Sequence, residues 1–268
     1  MATTTPLTLP RTLFTPTLYT NILKLWFRDI PPTTRVVPPE TTSRWFGKGA
    51  PEPNGKTFDE ACTDEFEPVL EAIGPQQYTL PAAAVAADYR AEVASSAGIA
   101  APFLADIQSA DEAQTSANAL GLMLLLDQMP RNIFRDNQAV VYGHYDRIAR
   151  AVLRGVLEGR PRVDLHGSLR LVPCRRMWFY MPLMHSEYRE DHDLYWKIMS
   201  EAQAELRADG DEESAGFVQY SLDFEKKHVG LIERFGRYPH RNVHLGREMT
   251  QEEKEYLEAG GENFGTGA

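Results

Sequence analysis

"LLLDQMPRNIFR", residues 124–135, decides how the rest of the chain is read. Three leucines close an apolar run, and Asp127, Gln128, Arg131, Asn132 and Arg135 come within nine positions around Pro130. The run upstream, from Asp111, keeps helical spacing, and its second half is apolar on every side. A helix without a polar face belongs at the centre of a protein. Charged groups carried into such a place must be paired or must hold something. The segment therefore reads as a central helix that ends where polar side chains turn inward, one wall of a polar pocket.

Working outward, most of the chain carries the helical period. "FDEACTDEFEPVLEAIG" (58–74) places Phe58, Cys62, Phe66, Val69, Leu70 and Ile73 near a 3.6-residue repeat, with Gly74 as a stop. Ala-rich stretches from Pro81 to Ala94 and from Pro102 to Gln108 suit closely packed helices. Residues 138–158, 187–207 and 212–235 are amphipathic, and "NILKLWFRD" (21–29) is a short helix burying Ile22, Leu25 and Trp26. "TQEEKEYLEAGG" carries Thr250 and Glu253 at capping-box spacing, with Gly260 as the stop. Prolines 31, 32, 38 and 39 and the segment 45–58 read as irregular. Only "VDLHGSLRLVP" (163–173) tempts a strand or hairpin. The pattern predicts an all-α fold, an antiparallel helical bundle or helix-pair array. Its single domain spans 21–260, between a loosely packed Thr- and Pro-rich segment 1–20 and a flexible tail 261–268.

Composition narrows the classes of function. With 268 residues, 43% hydrophobic and 25% charged, the chain can bury a full core. A net charge of −10 repels nucleic acid and anionic membranes. No apolar run reaches the length of a membrane span, and the N-terminal stretch lacks the apolar core of a secretory signal. Two cysteines, Cys62 and Cys174, make no disulfide framework. A cytoplasmic protein is expected.

Two further segments share the composition of the first. "MWFYMPLMHSEYREDHDLYW" (177–196) carries His185, Ser186, Glu187, Tyr188 and Asp191 after a proline-broken aromatic run. A helix through this segment puts Glu187 and Asp191 on one face, one turn apart. "HVGLIERFGRYPHRNVHLGR" (228–247) supplies Arg234, Arg237, His240, Arg241, Asn242, His244 and Arg247. One account is internal pairing, with Asp127 and Glu187 held by Arg131, Arg237 or Arg241. The other is a shared pocket in which carboxylates, guanidiniums and imidazoles converge.

These segments carry a resemblance. "LLLDQMPRNIFR", "YMPLMHSE" (180–187) and "IERFGRYPHRNVHLGR" (232–247) resemble the signature segments of the uncharacterised family catalogued as domain of unknown function 924. "KLWF" (24–27), "RWF" (44–46), "FD" (58–59) and "MTQEEKEYL" (249–257) fall in the expected order. The likeness runs from Ile22 to Leu257 and implies a helical, tetratricopeptide-like fold without a function attached. Departures from the family pattern are His192 in place of the usual Gln, Met129 and Tyr238 in place of Phe, and longer segments around 46–57 and 205–215.

The expected function is that of an enzyme with a polar pocket for an anionic small-molecule substrate, a phosphate or diphosphate. Asp127, His185, Glu187 and His240 are the expected catalytic groups, since an imidazole titrates near neutrality. Arg131, Arg237, Arg241 and Arg247 would fork onto oxyanions, with Asn132, Asn242, Trp178 and Tyr188 lining the substrate. Asp127, Glu187 and Asp191 are hard oxygen ligands suited to Mg²⁺, should a metal take part. A diphosphate-ionising isoprenoid (terpene) cyclase is one version, with Trp178, Phe179, Tyr180, Tyr188, Tyr195 and Trp196 facing a carbocation. Ser186 lacks the nucleophile elbow of a serine hydrolase. Zinc spacing and a Gly-rich phosphate loop are both absent. The alternative is a non-catalytic helical-repeat module for binding or assembly.

Overall fold

The computed structural model describes residues 7–52, 55–81 and 88–264. In chain order the helices are α1 (Pro16–Trp26), α2 (Pro39–Trp45), α3 (Phe58–Glu71), α4 (Tyr89–Asp106) and α5 (Glu112–Met123). Then come α6 (Met129–Ile133), α7 (Gln138–Val140), α8 (Asp146–Glu158), α9 (Pro173–Arg176) and α10 (Met181–Met184). The last three are α11 (Arg189–Ala208), α12 (Glu212–Phe235) and α13 (Gln251–Glu258). No strand occurs among the described residues. The protein is all-α.

The expected helices form for local reasons that the sequence displays. Thr57 and Thr250 each accept the amide three residues on, while Glu60 and Glu253 reach back to their amides. Asp88, Asp111 and Asp211 cap α4, α5 and α12 in the simpler way. Such caps satisfy donors that a helix start leaves open. Gly236 ends α12 at φ +68°, where a side chain would be strained.

Packing sorts these helices around α5, whose Leu120, Leu122 and Met123 are buried together with Leu124, Leu125 and Leu126. α1 lies on α5, α4 on α8, α3 on α6 and α11 on α12. The last two are joined by the short Asp209–Asp211 turn and so run antiparallel. Beside this frame Trp26 stacks on Trp45 with centroids 5.5 Å apart. Trp178 meets both edge-on, at 5.1 and 4.9 Å.

Several expectations need correction. Residues 7–20 are not loose: Leu9, Phe14, Leu18 and Tyr19 are buried, and Tyr19 donates to Asp106 at 2.6 Å. Leu18 and Tyr19 extend the buried face of α1 that Ile22 and Trp26 continue, while Leu9 and Phe14 precede the helix and show no helical period. The Ala-rich stretches give one helix, not two. α4 runs through Pro102 because Ile99, Ala100 and Phe103 bury a common face that outweighs one lost backbone bond; residues 82–87 lie outside the described residues. "VDLHGSLRLVP" forms a single 3₁₀ turn, Val163–Leu165, with further turns after it, and His166 and Ser168 bond to one another. Trp178, expected on the ligand, is core, and its indole donates to Cys174 O at 3.0 Å. The tail packs as far as Phe264, whose ring stacks on His228.

The close crossing of α1 and α5 depends on Gly121, where a Cβ would meet the Tyr19 Cβ at 3.0 Å and its backbone at 3.1 Å. Gly121→Ala gains helix propensity yet is expected to lower stability by about 1–3 kcal/mol through overpacking. Urea denaturation measures the difference.

Candidate functional site

The "LLLDQ" segment does not continue α5 as a regular helix. Leu124–Gln128 forms a wide turn with i→i+5 bonding, and Val141–Tyr145 forms a second at the start of α8. Each wide turn inserts a residue into the helical repeat, rotating the downstream side chains by about 100°. The first aims Asp127 into the protein, where it is fully buried, and the second delivers Tyr142 and Asp146 opposite it. Wide turns of this kind are frequent at functional sites.

All three polar segments meet here. His185 Nδ1 donates to Asp127 Oδ1 at 2.9 Å, and Gln128 donates to Oδ2 at 2.5 Å. Arg131 lies 3.8 Å from Asp127 and 2.9 Å from Asp146. Asp146 faces a second guanidinium, Arg241, at 3.5 Å. Arg241 is sandwiched by Tyr142 and Tyr238, 4.4 and 4.6 Å from their ring centroids, a cation–π arrangement. Glu187 takes a forked pair from Arg247 at 2.7 and 2.9 Å, and the Tyr238 amide at 2.9 Å. Several nitrogens in this cluster are buried without a hydrogen-bond partner: the donors Arg131 Nη1, Arg241 Nε and Arg247 Nε, and the ring nitrogen His240 Nδ1.

The remaining expected residues sit elsewhere. Asn132 turns away and straps Asp59 at 2.8 Å and Trp45 O at 3.2 Å. Arg237 forks onto Glu253, at 2.6 and 2.8 Å, and so serves the start of α13. Asn242 is fully buried, and neither atom of its side-chain amide makes a hydrogen bond. Tyr188 packs between Tyr89 and Arg150, at 5.5 and 5.7 Å. Glu187 and Asp191 do not share a helix face, since α11 begins only at Arg189 and Glu187 precedes its cap. Asp191 is held by Arg154 at 2.9 Å and by the Ser186 hydroxyl at 2.7 Å. The three carboxylates read as Mg²⁺ ligands thus each face their own donors. Among the described residues no group of three or more His, Cys, Asp or Glu is arranged to hold a metal ion.

Sequence reasoning passed over Asp146, Tyr142, His228 and Glu225. Asp146 begins an ordinary amphipathic helix, and nothing in its neighbours marks it. Glu225 carried a signal: it pairs with His192, a departure from the family pattern, at 2.6 Å between α11 and α12. A groove of 340 Å³ opens between those helices over Trp196 and Lys226; none of Asp127, His185, Arg241 or Arg247 lines it.

Burial sets the protonation states. It pushes His185 down, and Arg131 adds to the effect. His240 falls to about 3 through burial, helped by Arg241, and His228 to about 2 through burial with His185 close by. Burial works against the Asp127 carboxylate, but His185 and Arg131 outweigh it and hold its pKa low. Glu187 is likewise held low, against burial, by Arg247 and Arg241. The imidazoles are therefore neutral at pH 7, which leaves each with one ring N–H to donate. On His185 that proton sits on Nδ1, so Nε2 keeps its lone pair.

These shifts give stability a pH dependence of definite sign. His228 and His240 bind protons more readily unfolded than folded, so their contribution is complete above about pH 6.5 and is lost as the pH falls toward 3. Each should remove up to about 1.4 kcal/mol per pH unit in that window. His240→Asn should flatten the slope measured by chemical denaturation at stepped pH. Asp146→Asn leaves two guanidiniums facing a neutral group and should cost about 3–5 kcal/mol.

The fold has a counterpart among known structures. A structure titled as a protein of unknown function, ATU0120 from Agrobacterium tumefaciens, is similar at a TM-score of 0.52 with 26% identity. The similarity covers 90% of this chain and 97% of that one. No curated protein matches the chain. The model of a family described as bacterial protein of unknown function (DUF924) matches residues 22–261, a span holding all three polar segments, and the chain belongs to that family.

Proposed function

We propose that the three segments build a small-molecule site of an enzyme acting on an anionic substrate. The observation that carries this reading is the set of unpartnered donors on Arg131, Arg241 and Arg247, gathered with the unpartnered His240 Nδ1 where the distant motifs meet. Buried donors are rarely left unmade, and each costs free energy unless something accepts from it. A phosphate or carboxylate offers several acceptors at once and suits forked guanidiniums. Asp127 and His185 give the same site an acid–base group. The carboxylate fixes the imidazole tautomer and favours the imidazolium that forms when Nε2 takes a proton.

The Mg²⁺-assisted diphosphate version, including the isoprenoid cyclase, has less to stand on. Asp127, Glu187 and Asp191 are engaged by arginines or hydrogen-bond donors. Trp178, Phe179, Tyr180 and Tyr195 are buried in the core. A second reading, a non-catalytic helical module, draws on the same pairing. A cluster whose carboxylates all face cations is what a rigid frame requires.

Thermal shift separates the readings. Inorganic phosphate or pyrophosphate at about a hundred times its dissociation constant should stabilise by about 2.7 kcal/mol and raise the Tm by about 5–10 °C. Arg131→Lys keeps the charge but loses the fork, and should shrink that shift. An unmoved Tm at millimolar concentrations of both anions, with and without Mg²⁺, sinks the enzyme reading and favours the module.

A further inference from the structure

Beside the anion cluster the segment after α13 takes an unusual course. Gly260, at φ +78°, reverses the backbone, and Phe264 then takes a left-handed φ of +53°, which bulky side chains rarely adopt. Its ring lies parallel to His228 at 3.8 Å, with 7° between the planes. Phe224, Tyr238 and His240 meet it edge-on at 5.9, 6.0 and 5.8 Å. A flat slot is thus floored by one ring and walled by three others. The tail reaches it through the Gly261 amide on Tyr256 O at 2.9 Å, the Glu262 amide on the Tyr256 hydroxyl at 2.8 Å and the Glu262 carboxylate with exposed Lys227 at 3.2 Å.

Two walls of this slot belong to the anion cluster. The Tyr238 ring stacks against Arg241 and its amide binds Glu187. His240 carries the unpartnered Nδ1. A ring in the slot and an oxyanion on the arginines would share His240, which meets Phe264 edge-on and lies close enough to Arg241 and Arg247 to feel their charge. His228 is buried and neutral, an uncharged plane suited to stacking.

We propose that His228, Phe224, Tyr238 and His240 form a binding slot for a planar aromatic ring, self-occupied by Phe264, and that the ligand of the anion cluster is an aromatic anion whose ring displaces it. This rests on the anion-site reading and adds the ligand's second half. It also supplies an entrance. Release of a short, strained segment opens the buried histidine face without disturbing a helix.

Isothermal calorimetry with three probes tests it: inorganic phosphate, phenyl phosphate and cyclohexyl phosphate, on the native protein, Phe264→Ala and Phe264→Leu. Matching Tm values establish that the variants fold. Emptying the slot in Phe264→Ala should tighten phenyl phosphate about threefold to tenfold over the native protein. Inorganic phosphate should stay unchanged, and cyclohexyl phosphate should gain less than phenyl. Phe264→Leu, which fills the slot without a plane, should fall between the two. Phosphate binding with no gain for phenyl phosphate in either variant, or an equal gain for the cyclohexyl probe, overturns the slot and leaves the anion site standing. Absence of binding by every probe to every protein overturns both.

Discussion

Asp146 lies between two guanidiniums in the interior, and much of the arrangement around it is dictated by the needs of a buried charge. Arg131 comes from the end of the central helical run and Arg241 from the turn after α12. In a medium of low dielectric neither can be left alone, and removing one member strands the others. The electrostatic requirement therefore fixes the distance between segments more than a hundred residues apart in sequence. Asp127 with His185, and Glu187 with Arg247, repeat the arrangement on either side. Together these contacts tie α6, α8, the turn after α10 and the turn after α12 into one unit.

The backbone accommodates this unit at two wide turns. A regular helix from Asp111 to Ile133 would place Asp127 on a different azimuth from the one His185 meets. Apolar packing upstream, through Leu120, Leu122 and the three leucines 124–126, holds the helix rigidly enough for the deviation to persist. Hydrophobic burial supplies the stability, while polar pairing determines where segments end and turn. The unpartnered guanidinium and imidazole nitrogens are the remainder after that pairing. They give the cluster its chemical character: several N–H groups pointing inward beside neutral imidazoles.

The aromatic residues divide into two populations by surroundings rather than by spacing. Trp26, Trp45 and Trp178 stack against one another in the apolar interior, where Trp45 and Trp178 donate to backbone carbonyls. Tyr142, Tyr238, His228 and Phe264 gather where guanidiniums and imidazoles are close, and their faces contact cations or other rings. Exposed Trp196 belongs to neither group. The aromatic run at 177–180 belongs to the first population, and this separates it from the polar residues only a few positions later.

The helical class, the cap at Thr250, the stop at Gly260 and the buried faces of α3, α5 and α12 were legible in the sequence, because each depends on residues within one or two turns. The residue types of the site were legible as well, since charged groups beside apolar runs advertise their need for partners. The partners themselves were not. Which arginine meets Glu187, why Asn132 faces Trp45, and that Asp146 joins the cluster were decided by helix packing. So were the positions of Phe14 and Phe264, which have no local period and find their places only on surfaces built by other helices. Local structure is set by neighbours along the chain. A site made of distant segments depends on how those elements cross, and the free energy that sets the crossing comes from all of them together.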